Sequence, residues 1–164
     1  MKQTIHLLLY LLAGSFFYSC ETAQSNSIEK TIEEYYQVFN QRQEFERFLD
    51  FYDKNIILED IINGDSIVGK QNLKDFLDWS NPGFERLTEN SLVVVDKIID
   101  KNNAVIKGYF TAFKWGGKLF EAMHFTTILT FGKSGKIIKQ VDWVNYPSTL
   151  INYNERKNSN KWIN

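Results

Sequence analysis

The sequence has little of several things that would point to a function. Among its 164 residues there is one cysteine, Cys20, which can neither form an internal disulfide nor hold a metal ion alone. The 19 basic and 20 acidic side chains give a net charge of −1, so the clustered basic surface that binds nucleic acid is not expected. The apolar run from Ile5 to Tyr18 is fourteen residues long, too short to span a bilayer.

What the sequence does contain is typical of one folded domain. Hydrophobic residues make up 43% of the chain, aromatic residues 15% and charged residues 24%, and the aromatic residues are spread along its whole length. Disordered, collagen-like and low-complexity chains do not have this composition. The length also favours a single domain.

The first residues indicate export rather than structure. Lys2, the apolar run and the pair Ser19–Cys20 form a signal-peptide pattern, whose ending resembles the lipobox of bacterial lipoproteins. We predict a signal peptide at 1–19, lipidated Cys20 as the anchor to a membrane of the bacterial cell envelope, and a tether at 20–27. Ordinary secretion and a buried structural cysteine remain alternatives. Loss of His6 with the signal leaves His124 as the one histidine, so no histidine metal site is expected.

Helical spacing of apolar residues predicts three helices. The first extends from Ile28 to Phe39, the second from Phe45 to Asp53, and the third follows Gly69 and ends before Ser80–Gly83. A β-branched segment between the second and third helices, residues 55–62, predicts a strand.

The second half of the chain has the alternating pattern of strands. Four strands are predicted over 87–99, 104–115, 118–131 and 137–146, with Gly116–Gly117 as a two-residue hairpin loop. The order α-α-β-α-β-β-β-β predicts an α+β domain in which an antiparallel sheet curls over three helices. Residues 151–164 are predicted to be a polar C-terminal tail.

This element order resembles the nuclear transport factor 2-like superfamily, in particular its SnoaL-like and ketosteroid isomerase-like branches. The resemblance rests on Glu34–Tyr36 in the first helix, Ile57–Asp60 in a strand, and Val68–Lys70 opening a helix. It covers Ile28 to Tyr146 and implies a SnoaL-like domain at 28–150 with the shape of a cone around a deep apolar pocket. Members of the superfamily include isomerases, cyclases, dehydratases and proteins that only bind a ligand.

The resemblance also implies roles for single residues. The general base of the isomerases falls on Asp60, and their oxyanion-stabilising tyrosine falls on Tyr35. Their second oxyanion donor, a protonated acid, falls on Thr126 or Thr127, whose hydroxyl cannot imitate a neutral carboxyl group. In the SnoaL-like cyclases the base is an aspartate on the last strand, where this chain has Asp142.

The direction in which Asp142 points depends on strand register. A three-residue loop after Gly132 would place Asp142 opposite Thr126 and diagonal to His124, which makes His124 a candidate catalytic partner. A loop one residue longer would place Asp142 opposite Thr127 and turn His124 to the other face, because a shift of one residue reverses every side chain.

Each candidate site residue also has a purely structural explanation. Asp60 ends a strand before a turn, Tyr35 belongs to an apolar helical stripe, and Asp142 would be solvated if its neighbours were the buried ones. The candidate ligand-binding residues are Tyr35, Trp115, Thr127 and Gln140.

Three functions are compatible with these patterns. The first is a lipid-anchored domain that binds a small apolar or amphipathic molecule without converting it. The second is a cofactor-independent acid–base enzyme, a cyclase, isomerase or dehydratase, with Asp142 or Asp60 as the base. The third is an interaction module that forms a homodimer through its sheet.

Overall fold

The computed structural model describes residues 26–151 and 158–163. The predicted signal peptide, Cys20 and most of the tether lie outside the described residues. In the described ranges no helix has the length and apolar character needed to cross a membrane.

The chain forms three α-helices and nine strands over the described residues. In chain order they are α1 (26–41), α2 (Phe45–Leu49), β1 (Tyr52–Asp60), β2 (Asp65–Val68), α3 (Lys70–Leu77), β3 (Phe84–Arg86), β4 (Leu92–Asp100), β5 (Asn103–Phe110), β6 (Phe113–Trp115), β7 (Lys118–Phe120), β8 (Met123–Phe131) and β9 (Ile137–Val144). Within the described residues, two short 3₁₀ helices, Ser148–Leu150 and Ser159–Trp162, follow the last strand.

The strands form two sheets. The main sheet has the order β2-β1-β9-β8-β5-β4, and β3, β6 and β7 form a second, three-stranded sheet. The predicted α+β cone is confirmed, with one difference in topology. Strand β1 pairs with β9 in parallel, whereas the prediction was a wholly antiparallel sheet. The parallel pair arises because β9, at the end of the chain, inserts beside the first strand.

The helices lie against one face of the main sheet. The buried side of α1 includes Ile28, Ile32 and Tyr36, whose spacing follows the helical period. The Tyr36 ring stacks on Phe125 of β8 at a centroid distance of 6.4 Å. Leu73 of α3 is also fully buried. Burial of these apolar side chains joins the helices to the sheet.

Several predicted elements have different bounds. The second helix ends at Leu49 rather than at Asp53, because Tyr52 begins β1 and pairs with Ile137. The predicted strands over 104–115 and 118–131 are each interrupted, since β6 and β7 leave the main sheet and form the second sheet with β3. The strand predicted over 87–99 begins only at Leu92. Strand β2 was not predicted. The Gly116–Gly117 loop is as expected, with φ of 57° and 78°, the left-handed region that two-residue hairpin turns require.

A β-bulge sets the register of the β8–β9 hairpin. The loop closes with the Gly132 amide donating to the Lys136 carbonyl oxygen over 2.8 Å, as in the shorter predicted loop. The register then shifts by one residue at Ile138, so that Phe131 pairs with Ile137 and the next pair along begins with Lys139. The extra residue places Asp142 opposite Thr127, the pairing that was expected only of a longer loop.

Candidate functional site

A cavity of about 160 Å³ lies between the helices and the inner face of the main sheet. Its walls are mostly aromatic and aliphatic, contributed by α1, α2, α3 and the inner face of the main sheet. They include Tyr35, Tyr36, Phe39, Phe48, Tyr52, Leu58, Phe76, Leu77, Leu92, Phe110, Phe125 and Val144. The polar groups of the cavity are two carboxylates, Asp60 and Asp142, with Thr127, Gln140 and the tyrosines.

Asp142 accepts a hydrogen bond on each carboxylate oxygen. Thr127 Oγ1 donates to Oδ1 over 2.6 Å, and Gln140 Nε2 donates to Oδ2 over 2.8 Å. The pKa of Asp142 is raised from 3.8 to about 6, because the effect of burial, with that of the nearby Asp60 carboxylate, exceeds the lowering by the two hydrogen bonds. A carboxylate that is ionised at neutral pH but close to its pKa is suited to accept a proton.

A chain of hydrogen bonds reaches Asp142 from α1. The Tyr52 hydroxyl donates to Gln140 Oε1 over 2.8 Å and lies 2.8 Å from the Tyr35 hydroxyl. Because the single proton of Tyr52 goes to Gln140, Tyr35 must be the donor to Tyr52. Every donor in the chain therefore points toward Asp142, and burial raises the pKa of both tyrosines well above 10.

Asp60 has a different role in the same cavity. It is 4% exposed, and its Oδ1 accepts hydrogen bonds from the backbone amides of Ile62 and Asn63. Its Oδ2 accepts from the Tyr146 hydroxyl over 2.6 Å. Three donors hold this carboxylate at the start of the turn that follows β1, which is the structural explanation expected for a strand-end aspartate.

The structure brings five of the predicted site residues to this cavity. They are Tyr35, Asp60, Thr127, Gln140 and Asp142. Tyr35 does not present the free hydroxyl proton expected of an oxyanion donor, because it donates to Tyr52. Thr127, likewise, gives its proton to Asp142.

Three predicted residues lie elsewhere. His124 and Thr126 line an open groove on the outer side of the main sheet, and His124 contacts the Tyr109 ring at a centroid distance of 6.2 Å. The bulge at Ile138 pairs Asp142 with Thr127, so that His124 points to the opposite face of the sheet from Asp142 and cannot act as its partner. Trp115 is 44% exposed on the second sheet and does not line the Asp142 cavity.

Sequence reasoning missed two tyrosines of the site. Tyr52 had been assigned to the second helix, because its spacing from Phe48 and Leu49 fits a helical face as well as it fits a strand start. Tyr146 follows β9 in an irregular segment, and no periodicity could have shown that its hydroxyl reaches Asp60. Within 26–151 and 158–163, no group of three or more His, Cys, Asp or Glu side chains could hold a metal ion.

Comparison with known families agrees with this architecture. The family model described as a SnoaL-like domain matches residues 32–140, which include the second half of α1 and most of the main sheet. A search of the curated proteins found no significant match.

Solved structures with the same fold are numerous and distant in sequence. An NTF-2-like protein of unknown function from Burkholderia xenovorans superposes with a TM-score of 0.58 at 18% identity, over 81% of this chain and 94% of that one. A candidate SnoaL-like polyketide cyclase from Shewanella putrefaciens superposes with a TM-score of 0.61 at 17% identity, over 73% of this chain and 90% of that one. For a LEH-like epoxide hydrolase from M. tuberculosis the TM-score is 0.59 at 13% identity, over 74% of this chain and 84% of that one. At such identities the likeness concerns the fold alone.

Proposed function

The chain belongs to the SnoaL-like domain family, and on that premise we propose that its cavity binds a small apolar molecule and that Asp142 takes a proton from it. The observation that carries this proposal is the position of Asp142 in an apolar cavity with its pKa raised to about 6. A base of this strength works near neutral pH without a cofactor.

Asp142 is preferred to Asp60 as the base because of their hydrogen bonds. Asp60 receives three donors, two of them backbone amides that cannot be withdrawn without opening the turn. Asp142 receives one side-chain donor on each oxygen, so both of its oxygens keep a lone pair for a ligand, whereas Oδ1 of Asp60 is filled by two amides.

The volume of the cavity limits the molecule. A cavity of about 150 Å³ lined by apolar side chains is known to hold benzene, and the cavity beside Asp142 measures about 160 Å³. The part of the ligand next to Asp142 is therefore expected to be about one ring in size, smaller than the fused rings of a typical polyketide.

The proposed step transfers one proton. An O–H bond forms on Asp142 as a C–H bond next to a ligand carbonyl breaks. The electron pair of the C–H bond forms a C=C bond, and the π pair of the carbonyl moves to its oxygen, which gives an enolate. Return of the proton to carbon restores the carboxylate. Such a positioned base contributes a rate factor of about 10²–10⁴.

The second candidate function is binding without conversion. It is favoured because two hydroxyl groups of the cavity already donate their hydrogen bonds within the protein. Tyr35 donates to Tyr52, and Thr127 donates to Asp142. An enolate needs a hydrogen-bond donor at its oxygen, and these two hydroxyl groups are already engaged.

The test is hydrogen–deuterium exchange at a simple ketone. Phenylacetone and cyclohexanone are incubated in D₂O with the protein, and loss of the α-proton signal is followed by NMR. We expect exchange above the buffer rate, reduced at least about 100-fold in Asp142→Asn. Asp75→Asn, which removes an exposed carboxylate from α3, serves as the matched control and should retain the full rate. Exchange that survives Asp142→Asn would contradict the proposal, whereas binding of the ketones without exchange would support the second candidate.

The lipid anchor is a separate proposal that rests on the sequence. The apolar run ending at Ser19–Cys20 supports it, and the polar segment 21–27 that follows would serve as the tether between the membrane and the SnoaL-like domain.

A further inference from the structure

A second cavity of about 230 Å³ adjoins the first and contains two arginines. It lies between the end of α1, the end of α3 and the three-stranded sheet, and it shares the walls formed by Phe39, Leu77, Phe110 and Tyr146 with the Asp142 cavity. Its other lining residues include Phe84, Phe113 and Trp115, together with Arg42 and Arg86. An apolar cavity with positive charge at one side is suited to an amphipathic anion.

The guanidinium group of Arg42 is enclosed by aromatic rings. Its Cζ atom lies 4.2 Å from the ring centroid of Phe84, 4.9 Å from that of Trp79 and 5.9 Å from that of Phe39. Arg42 is the residue after α1 and has a φ of 48°, in the left-handed region that ends helices. The end of the helix and the rings thus hold the charge at the cavity.

Arg42 has no anionic partner within the described ranges. Glu44, the carboxylate nearest to Arg42 in sequence, pairs with Arg47 at 2.8 Å, and Glu85, next to Arg86, pairs with Lys114 at 3.0 Å. Burial, and then the charge of Arg86, lower the pKa of Arg42 to about 10. Arg42 is a partly buried cation, and a bound anion would offset part of the desolvation of its charge.

Two further donors lie around Arg42. Arg86 Nη1 donates to the backbone carbonyl oxygens of Asn40 at 2.7 Å and Gln41 at 3.2 Å, which fixes the second guanidinium group beside the end of α1. The indole Nε1 of Trp79 is buried and has no hydrogen-bond acceptor among the residues described. The surroundings of Arg42 therefore contain donors and positive charge in excess of acceptors.

We propose that Arg42, with Arg86 beside it, binds the carboxylate of a small amphipathic acid whose apolar body lies between Phe84 and Phe110. A planar guanidinium group donates two parallel hydrogen bonds to a carboxylate, an arrangement that a neutral amide or alcohol cannot reproduce. Because the two cavities share walls, the acid would extend its far end toward Asp142. Contact of the acid with Asp142 rests on the proposed function, whereas binding of its carboxylate by Arg42 does not.

The test compares a carboxylate with its neutral isostere. Binding of 3-phenylpropanoate and 3-phenylpropanamide is measured by isothermal titration calorimetry at pH 7.5 and low salt. The wild-type protein is expected to bind the carboxylate at least tenfold more tightly than the amide, and Arg42→Gln to abolish that difference. Arg47→Gln, which removes an exposed arginine paired with Glu44, is the matched control and should retain it.

Other results would overturn the proposal. These are equal affinity for the two compounds, no measurable binding of the carboxylate to the wild-type protein, or an unchanged preference in Arg42→Gln. Circular dichroism checks that Arg42→Gln is folded. If it is not, Arg86→Gln takes its place and must reduce the preference for the carboxylate at least threefold. Retention of the full preference in Arg86→Gln then overturns the proposal. Asp142→Asn separates the two proposals, because it is expected to lose proton exchange while it keeps the preference for the carboxylate.

Discussion

Asp60 and Asp142 lie directly opposite each other on the parallel strands β1 and β9. The backbone brings two carboxylates to one cavity, and their hydrogen bonds then give them different roles. Asp60 is held by two backbone amides and Tyr146, whereas Asp142 is held by two side chains and keeps room for a ligand. The charge of Asp60 also adds to the effect of burial on the pKa of Asp142.

Removal of the Asp60 charge is expected to lower the pKa of Asp142. In Asp60→Asn the side-chain oxygen can still accept from the amides of Ile62 and Asn63, so the turn should form, but the negative charge opposite Asp142 is lost. The carboxyl carbon of Asp142 is titrated by NMR in both proteins. An Asp142 midpoint equal to or above the wild-type value of about 6 would show that the two carboxylates do not interact.

The stability of the protein should depend on pH through Asp142. Its folded-state pKa is raised from 3.8 to about 6, so the stability linked to this group is fully present below pH 3.8 and is lost as the pH rises through 6. The difference between these two pKa values corresponds to a change of about 3 kcal/mol at most in the free energy of unfolding. Urea unfolding from pH 4 to pH 8 should show that the wild-type protein loses stability relative to Asp142→Asn across this range, while Asp75→Asn follows the wild type. A constant difference between wild type and Asp142→Asn would exclude the raised pKa.

The hydrogen-bond chain predicts unequal costs for two similar substitutions. Tyr52→Phe leaves both the Tyr35 hydroxyl proton and Gln140 Oε1 without a partner, whereas Tyr35→Phe removes only the first donor of the chain. Each buried group left unpaired costs about 1–3 kcal/mol. Both tyrosines are almost fully buried, so the packing change is similar. Urea unfolding should find Tyr52→Phe less stable than Tyr35→Phe by at least about 1 kcal/mol; the reverse order would contradict the position of Tyr52 between Tyr35 and Gln140 in the chain.

The lipid anchor has its own test. Replacement of Cys20 by serine removes the thiol that would be lipidated, and the protein is expected to leave the membrane fraction because a single domain without acyl chains has no stable anchor. Mass spectrometry of membrane-extracted wild-type protein should find an acylated Cys20 as the first residue. An unmodified first residue at another position would end the lipoprotein interpretation.

The sequence predicted the elements whose periodicity is strong. The apolar stripe of α1, the helix after Gly69 and the Gly116–Gly117 hairpin have the expected bounds, because each depends on local spacing or on glycine at positive φ. The SnoaL-like resemblance and the α+β cone are confirmed by the family match and the sheet topology.

The sequence could not determine the site to the same extent, for physical reasons. The pairing of Asp142 with Thr127 depends on a one-residue bulge at Ile138, and nothing in the local composition distinguishes that bulge from a regular ladder. The parallel pairing of β1 with β9 is a long-range contact that puts Asp60 opposite Asp142. The hydroxyl of Tyr52 likewise enters the site only because the second helix ends early.

The fold keeps Asp142 as a carboxylate of raised pKa within an apolar cavity. Titration of the Asp142 carboxyl carbon by NMR, with Asp142→Asn used to assign the signal, measures this pKa directly. We expect a midpoint of about 6, and we expect phenylacetone to shift this signal at pH 7. A midpoint near 3.8, the ordinary value for an aspartate, with no response to the ketone would contradict both expectations.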